Sequence, residues 1–236
     1  EYIIVDAGSC DGSRDLINSY GDKINKIFEK DNGPADGLNK GFSTASGEIY
    51  GFLNSDDYLE PDAISFVVDF FEDNNDCDVL SGSSYIVNEK GKVIRKFYSD
   101  QMNLNRFAYQ GVILSQPSTF FKKNIFMNCG GFNVNNKSNW DGELFCEMAI
   151  RSSKFYKVDK ILSSYRLQPS SITSSGAMEN EHNLHQYKMF YKIKKRNPFF
   201  IDKLLFIFFR LLRKLLNLRD TYQRLRYGPI YNKSGS

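Results

Sequence analysis

Gly47-Glu48-Ile49-Tyr50-Gly51-Phe52-Leu53-Asn54-Ser55-Asp56-Asp57-Tyr58-Leu59-Glu60-Pro61 is the stretch whose reading decides the fold. Its apolar run (Ile49, Tyr50, Phe52, Leu53) ends in Asn54-Ser55-Asp56-Asp57, and Pro61 then opens a helical pattern. The pattern predicts a buried strand that delivers two adjacent carboxylates to its C-terminal end, just before a helix. Open α/β sheets bind their ligands at that end. Neighbouring carboxylates repel unless a cation or hydrogen-bond donors offset the repulsion. Hard divalent ions such as Mg2+ and Mn2+ take oxygen ligands, often one or two carboxylates plus substrate phosphates. The same four residues also suit a solvated turn, because Asp, Asn and Ser favour turns. The surrounding chain decides between the two.

Upstream, Tyr2-Ile3-Ile4-Val5 is a short apolar run, as expected of a strand buried on both faces. It ends at Asp6, before the small-residue turn Ala7 to Ser13, where Asp11 or Ser13 can cap a helix through Leu16 to Tyr20. Ile24 to Phe28 reads as a second strand, residues 29–36 as a polar loop, and Leu38 to Thr44 as a helix ending near Gly47. This βαβα rhythm predicts a parallel sheet with helical crossovers. Neither a GxGxxG nor a GxxxxGK[ST] loop is present.

Residues 3–17 (IIVDAGSCDGSRDLI) and 31–57 (DNGPADGLNKGFSTASGEIYGFLNSDD) resemble the nucleotide-sugar-binding half of a family 2 glycosyltransferase with the GT-A fold. The resemblance runs in ordered blocks to about residue 172. It implies an α/β fold whose mostly parallel, Rossmann-like central sheet carries flanking helices. It implies that Asp6 accepts a hydrogen bond from a uracil ring and that Asp36, in a DAxNxG-like block, and Asp56 contact the nucleoside. Asp57 becomes the metal-binding acid of a DxD-like motif, holding Mn2+ or Mg2+. Gln116 to Phe121 and Cys129-Gly130-Gly131-Phe132 resemble further family blocks, structurally a buried strand and a glycine turn.

Trp140-Asp141-Gly142-Glu143-Leu144-Phe145 resembles the family's DxxL-like block at a helix start, which implies that Asp141 is the catalytic base, with Glu143 nearby. From the residues alone, Asp141 is equally suited to capping the helix Gly142 to Arg151. Ser164 to Pro169 resembles the closing YRxH-like element, with Arg166 a diphosphate contact or a structural ion pair. Gln168 stands where His is common, and a neutral amide is a poor metal ligand, which weakens the case for a third protein ligand. No QxxRW block of the processive members is present, so transfer of a single sugar is expected.

At 41% hydrophobic and 25% charged, the 236 residues suit one sizeable α/β domain with an appendage. A catalytic domain is expected over residues 1–180, and a helical tail over 181–236. The chain opens on Glu1 and reads at once as a strand, so it is expected to lack its true N-terminus and first strand. Cys10, Cys77, Cys129 and Cys146 form no CxxC pair, which argues against a zinc site or disulfide framework. Pro61 to Phe71 reads as a helix, Val79-Leu80 as a strand and Tyr85 to Val93 as a hairpin. His182 and His185 read as surface or packing residues.

The formal net charge of +3 is unevenly placed. From Tyr187 onward there are 13 Lys and Arg against 2 Asp, a net +11 that leaves −8 for the rest. Phe199 to Leu216 is helical, apolar and edged with cations, as expected of a helix lying in an anionic membrane surface; the alternatives are packing on the catalytic domain or an oligomer contact. The cations interleave with Leu and Phe rather than with polar loops, which argues against nucleic acid. The expectation is an inverting, metal-dependent transferase that moves one hexosyl or N-acetylhexosaminyl unit from a UDP-sugar to a glycan or lipid-linked acceptor in surface polysaccharide synthesis. It would work in the cytoplasm, peripheral on the inner face of the plasma membrane. A non-catalytic nucleotide-sugar-binding pseudoenzyme is the alternative.

Overall fold

Ile3 to Asp6 forms β1, which pairs in parallel with β2 (Asn25–Phe28), Asp6 opposite Phe28, across the helix α1 (Ser13–Ser19). The computed structural model describes residues 1–151, 153–168 and 179–228. Asp11 accepts hydrogen bonds from the backbone and hydroxyl of Ser13, as a helix-start acid should. Helix α2 (Pro34–Thr44) begins earlier than Leu38, because proline's fixed φ and missing N–H suit the first helical position. It lies close on β1 through Gly41, where a Cβ would meet Val5 at 3.1 Å.

The second sheet has six strands. Its order is β3 (Ile49–Tyr50), β7 (Thr119–Lys122), β5 (Val79–Val87), β8 (Phe155–Arg166) and β4 (Tyr58–Leu59), with β6 (Val93–Phe97) also on β5. Among described residues, parallel pairing is confined to β1–β2 and β5–β8; the other pairings are antiparallel. The hairpin expected around residues 85–93 accounts for one of these: β5 turns back into β6, and Asn88 accepts the N–H groups of Lys90 and Lys92 in the turn.

The acid-bearing stretch departs most from a plain strand-to-helix reading. Ladder pairing stops at Tyr50, where Gly51 passes so close to the Phe120 ring that a Cβ would sit 2.6 Å from it. Residues 51–57 then cross from β3 at one edge of the sheet to β4 at the other. Within it, Asn54 to Asp57 close a turn, the Asp57 N–H donating to the Asn54 carbonyl at 3.1 Å. The next helix, α3 (Ala63–Asp73), starts two residues after Pro61, with Asp62 at φ 62°.

Alternation along the strands divides the core. Val79 and Phe121 join Phe42, Tyr50, Phe52, Phe126 and Phe132 in one cluster, while Leu80 and Phe120 meet Ala63, Val67 and Phe71 in the other. Helices α4 (Leu104–Ala108), α5 (Lys123–Cys129) and α6 (Trp140–Ile150) complete the body. Three more follow: α7 (Glu179–Lys194), α8 (Phe200–Leu216) and α9 (Leu218–Tyr227). Helices α7 and α8 join it through Tyr109, whose ring meets Phe190 edge-on and stacks on Phe209 at 5.0 Å, and α9 joins it through β6, where Asp220 pairs with Arg95. No helix among the described residues is long and apolar enough to cross a membrane.

Candidate active site

The crossing segment ends in a fixed carboxylate. Asp57 is buried; its Oδ1 accepts the backbone N–H of Arg166 at 2.9 Å, and its Oδ2 lies 3.3 Å from the Asn54 amide. Burial pushes its pKa up from 3.8 to about 6, against the opposing effect of the Arg166 N–H. The Arg166 side chain is spent on carbonyls: Nε donates to Asp56 at 3.0 Å, and Nη1 donates to Glu89 at 2.7 Å in the β5–β6 turn. Its guanidinium also stands over the Tyr58 ring. Arg166 thus ties the acid pair to the hairpin. Gln116 holds the segment upstream, donating to the Phe52 carbonyl at 2.8 Å.

Asp141 sits in the first turn of α6 and accepts the Gly142 N–H at 2.8 Å. It keeps partial surface exposure, yet the packing around its carboxyl is dense enough that burial raises its pKa. The neighbouring Trp140 packs on Phe52 and Phe132, with ring centroids 5.5 and 5.4 Å away. The start of α6 is thereby pressed against the segment that leads to Asp56 and Asp57. Glu143, by contrast, is occupied by amide donors from Asn133 and Asn136 and braces the loop before α6.

Asp6 and Asp36 lie on the β1–α2 side. Asp6 Oδ1 accepts the N–H groups of Gly8 and Ser9 at 3.0 Å and Arg14 Nε at 2.6 Å. Hydrogen bonding from Ser9 and then Arg14 holds its pKa well below the usual carboxylate range. Asp36 accepts the Asn32 N–H at 2.9 Å, shaping the loop ahead of α2. Asn39 connects this side to the rest. Its amide donates to the Phe132 carbonyl at 2.8 Å and accepts the Phe132 N–H at 2.9 Å. Gly130 and Gly131 have φ near 78°, and a Cβ on Gly131 would lie 2.7 Å from Asn39 Oδ1. Two sequence blocks about ninety residues apart therefore meet in one clasp.

The donor chemistry at Asp57 suits a divalent cation. Asp57 is a buried carboxylate whose partners are one backbone N–H and one amide; oxygen is its only donor type. That is the donor a hard cation takes, and a cation would relieve the burial that raises its pKa. No group of three or more His, Cys, Asp or Glu side chains is placed to hold a metal among the described residues. The protein's share would be Asp57 with Asp56, and diphosphate oxygens and water would complete the shell. His185 is buried, and burial lowers its pKa; His182 neighbours Gln186.

Sequence reading passed over several residues at the site. Arg14 was hidden in a helix-start pattern, and Asn54 and Gln116 read as turn and strand residues. Ser138 Oγ and Asn139 Nδ2, just before Asp141, are buried without a protein partner.

A mixed α/β body built on a curled central sheet is the fold of the GT-A glycosyltransferases. The chain belongs to glycosyl transferase family 2, whose family model matches residues 1–139. An uncharacterized glycosyltransferase of Rickettsia typhi is 25% identical over 193 residues, covering 77% of this chain and 59% of that protein. A PGL/p-HBAD biosynthesis glycosyltransferase of Mycobacterium tuberculosis is 25% identical over 153 residues, covering 62% and 57%. Among solved structures, S. aureus TarS 1-349 with UDP-GlcNAc superposes with a TM-score of 0.65 at 17% identity, over 96% of this chain and 64% of TarS 1-349. The mannosyltransferase PcManGT from Pyrobaculum calidifontis, in complex with GDP-Man and Mn2+, gives 0.58 at 14%, over all of this chain and 67% of the other. The chain thus spans about three-fifths of the length of these curated relatives.

Proposed function

We propose that this chain is the donor-binding and catalytic part of an inverting glycosyltransferase that moves one sugar from a UDP-sugar to a glycan or lipid-linked acceptor. The single observation that carries the reading is the buried Asp57 carboxylate next to Asp56, held at the sheet crossing by the Arg166 N–H. When bound there, Mn2+ or Mg2+ neutralises the diphosphate and stabilises the charge it gains as it departs. Asp56 and Asp57 supply carboxylate oxygen to that end of the donor. Asp6 and Asp36 contact the nucleoside, as the resemblance of their sequence blocks implies. Arg166 acts as a positioning residue, through its backbone N–H to Asp57 and through its Nε to the Asp56 carbonyl.

Asp141 serves as base. It takes the acceptor hydroxyl's proton while that oxygen bonds to the anomeric carbon from the face opposite the diphosphate. The bond from the anomeric carbon to the phosphate oxygen breaks, its electron pair leaves with UDP, and the anomeric configuration inverts. A pKa raised by burial suits a carboxylate to this task. The UDP-GlcNAc complex of TarS supports a UDP donor, and the GDP-Man complex of PcManGT names the competing base to test.

Calorimetric titration of UDP, with GDP as comparison, in Mn2+, in Mg2+ and in EDTA tests the reading. UDP binding that disappears in EDTA is expected. Equal binding with and without metal would remove the metal role of Asp57, and preference for GDP would change the donor.

A further inference from the structure

Helix α8 is mounted with its polar side inward. Of its 17 residues the buried ones are Asp202 (0% exposed) and Arg213 (7%). Asp202 accepts from Tyr109 Oη at 2.9 Å and from both terminal nitrogens of Arg196. Arg213 pairs with Asp100 at 2.5 Å and Asp220 at 2.9 Å. Phe206 and Phe209 complete this inner face against Tyr109. On the outer face, Phe200 (78%), Leu204, Ile207, Phe208, Leu211 and Leu215 (69%) are exposed. At 3.6 residues per turn these six form one stripe along a helix about 25 Å long. Lys203, Arg210 and Lys214, all exposed, line one edge of that stripe.

The charge pattern identifies the occupant. The only acids after residue 187 are Asp202 and Asp220, and both are buried in ion pairs. Every solvent-facing charge on α8 and α9 is therefore positive. Helix α9 repeats the arrangement, with Leu218, Tyr222 and Leu225 exposed beside Arg219 and Arg226. The same surface of a second copy would bring cation against cation, with no exposed acid on α8 or α9 in return. An anionic bilayer surface takes up both components, the apolar stripe at the acyl boundary and the cations among the head groups. The helix is too short and too charged to cross.

We propose that α8, extended by α9, is an in-plane docking surface for an anionic lipid bilayer. Phe200, Leu204, Ile207, Phe208, Leu211 and Leu215 insert, and Lys203, Arg210 and Lys214 pair with lipid phosphates. The inference stands independently of the donor and of the metal.

Co-sedimentation of the full chain tests it. One set of vesicles is pure phosphatidylcholine and the other an equal mixture of phosphatidylcholine and phosphatidylglycerol. Binding to the mixed vesicles, weakened by salt, is expected. Leu204→Ser with Leu211→Ser, and separately Lys203→Glu with Arg210→Glu and Lys214→Glu, should each lower the partition coefficient by about tenfold or more. Both should melt like the parent, because the replaced side chains are exposed. Three results would overturn the proposal: no binding to mixed vesicles, equal binding to both kinds, or a dimer abolished by the leucine changes in a protein that ignores vesicles.

Discussion

Arg166 holds Asp57 with its backbone and Asp56 with its side chain: the N–H reaches Asp57 Oδ1 at 2.9 Å, and Nε reaches the Asp56 carbonyl at 3.0 Å. Arg166→Ala keeps the first bond and removes the second, together with the link to Glu89. UDP affinity in Mn2+ should fall by about tenfold, the effect of losing a group that orients a ligand. Titration calorimetry reads this, and unchanged affinity would make Arg166 a packing residue only.

Asp57 makes the protein's stability depend on pH with a definite sign. Its pKa in the fold, about 6, lies above the ordinary 3.8. Between those values the native state binds the proton better than the unfolded chain does. Asp57's own contribution to the metal-free stability is therefore greatest below about pH 4 and is lost as pH rises through about 6, by roughly 3 kcal/mol. Asp57→Asn removes this loss, so the metal-free variant should melt above the parent near neutral pH and alike in acid. Thermal melts across pH with EDTA measure it. Mn2+ with UDP should raise the melting temperature of the parent and not of the variant.

Asp141→Asn keeps the shape of the first turn of α6 and loses the proton acceptor. Transfer should drop by about a hundredfold to ten-thousandfold. UDP-sugar binding, followed by calorimetry, should be retained. In the parent, the rate should rise with pH until Asp141 is ionised and then level off. A fully active variant would move the base elsewhere.

Asp220 joins Arg213, Arg224 and Arg95 in a buried cluster beneath α8 and α9. Arg95 Nε and Nη2 already lack partners there. Asp220→Ala leaves buried guanidinium groups uncompensated and should cost about 3–5 kcal/mol in urea unfolding. Limited proteolysis should then cut first between α7 and α9.

Local features were legible where short-range chemistry decides them. The run Ile3 to Val5, the turn at Asn88 to Lys92 and the glycines at 130 and 131 all follow from side-chain shape and φ preference. Long-range pairing was not legible. Nothing near Asp57 announces a bond to Arg166, 109 residues away. The strand expected through Leu53 shortens because its destination, β4, lies at the far edge of the sheet. The amphipathic pattern of α8 reveals two faces but not which one turns inward. That is set by Asp100, Tyr109 and Arg196, which give Arg213 and Asp202 buried partners. At the site, the acids were visible as residue types at a strand end, whereas Arg14, Asn39 and Gln116 act through contacts that only the fold creates.

The β5–β6 hairpin carries two loads at opposite ends. Its turn receives Arg166 through the Glu89 carbonyl, and its return strand carries α9, with Gln223 accepting the Lys96 N–H at 3.0 Å and Asp220 facing Arg95. A single pair of strands thus acts as a ruler between the carboxylates of the crossing segment and the two outward-greasy helices. Val87 of the same hairpin lies opposite Arg166 in β8, so a residue pair inserted into it would shift the seat of Arg166 and the seat of α9 together.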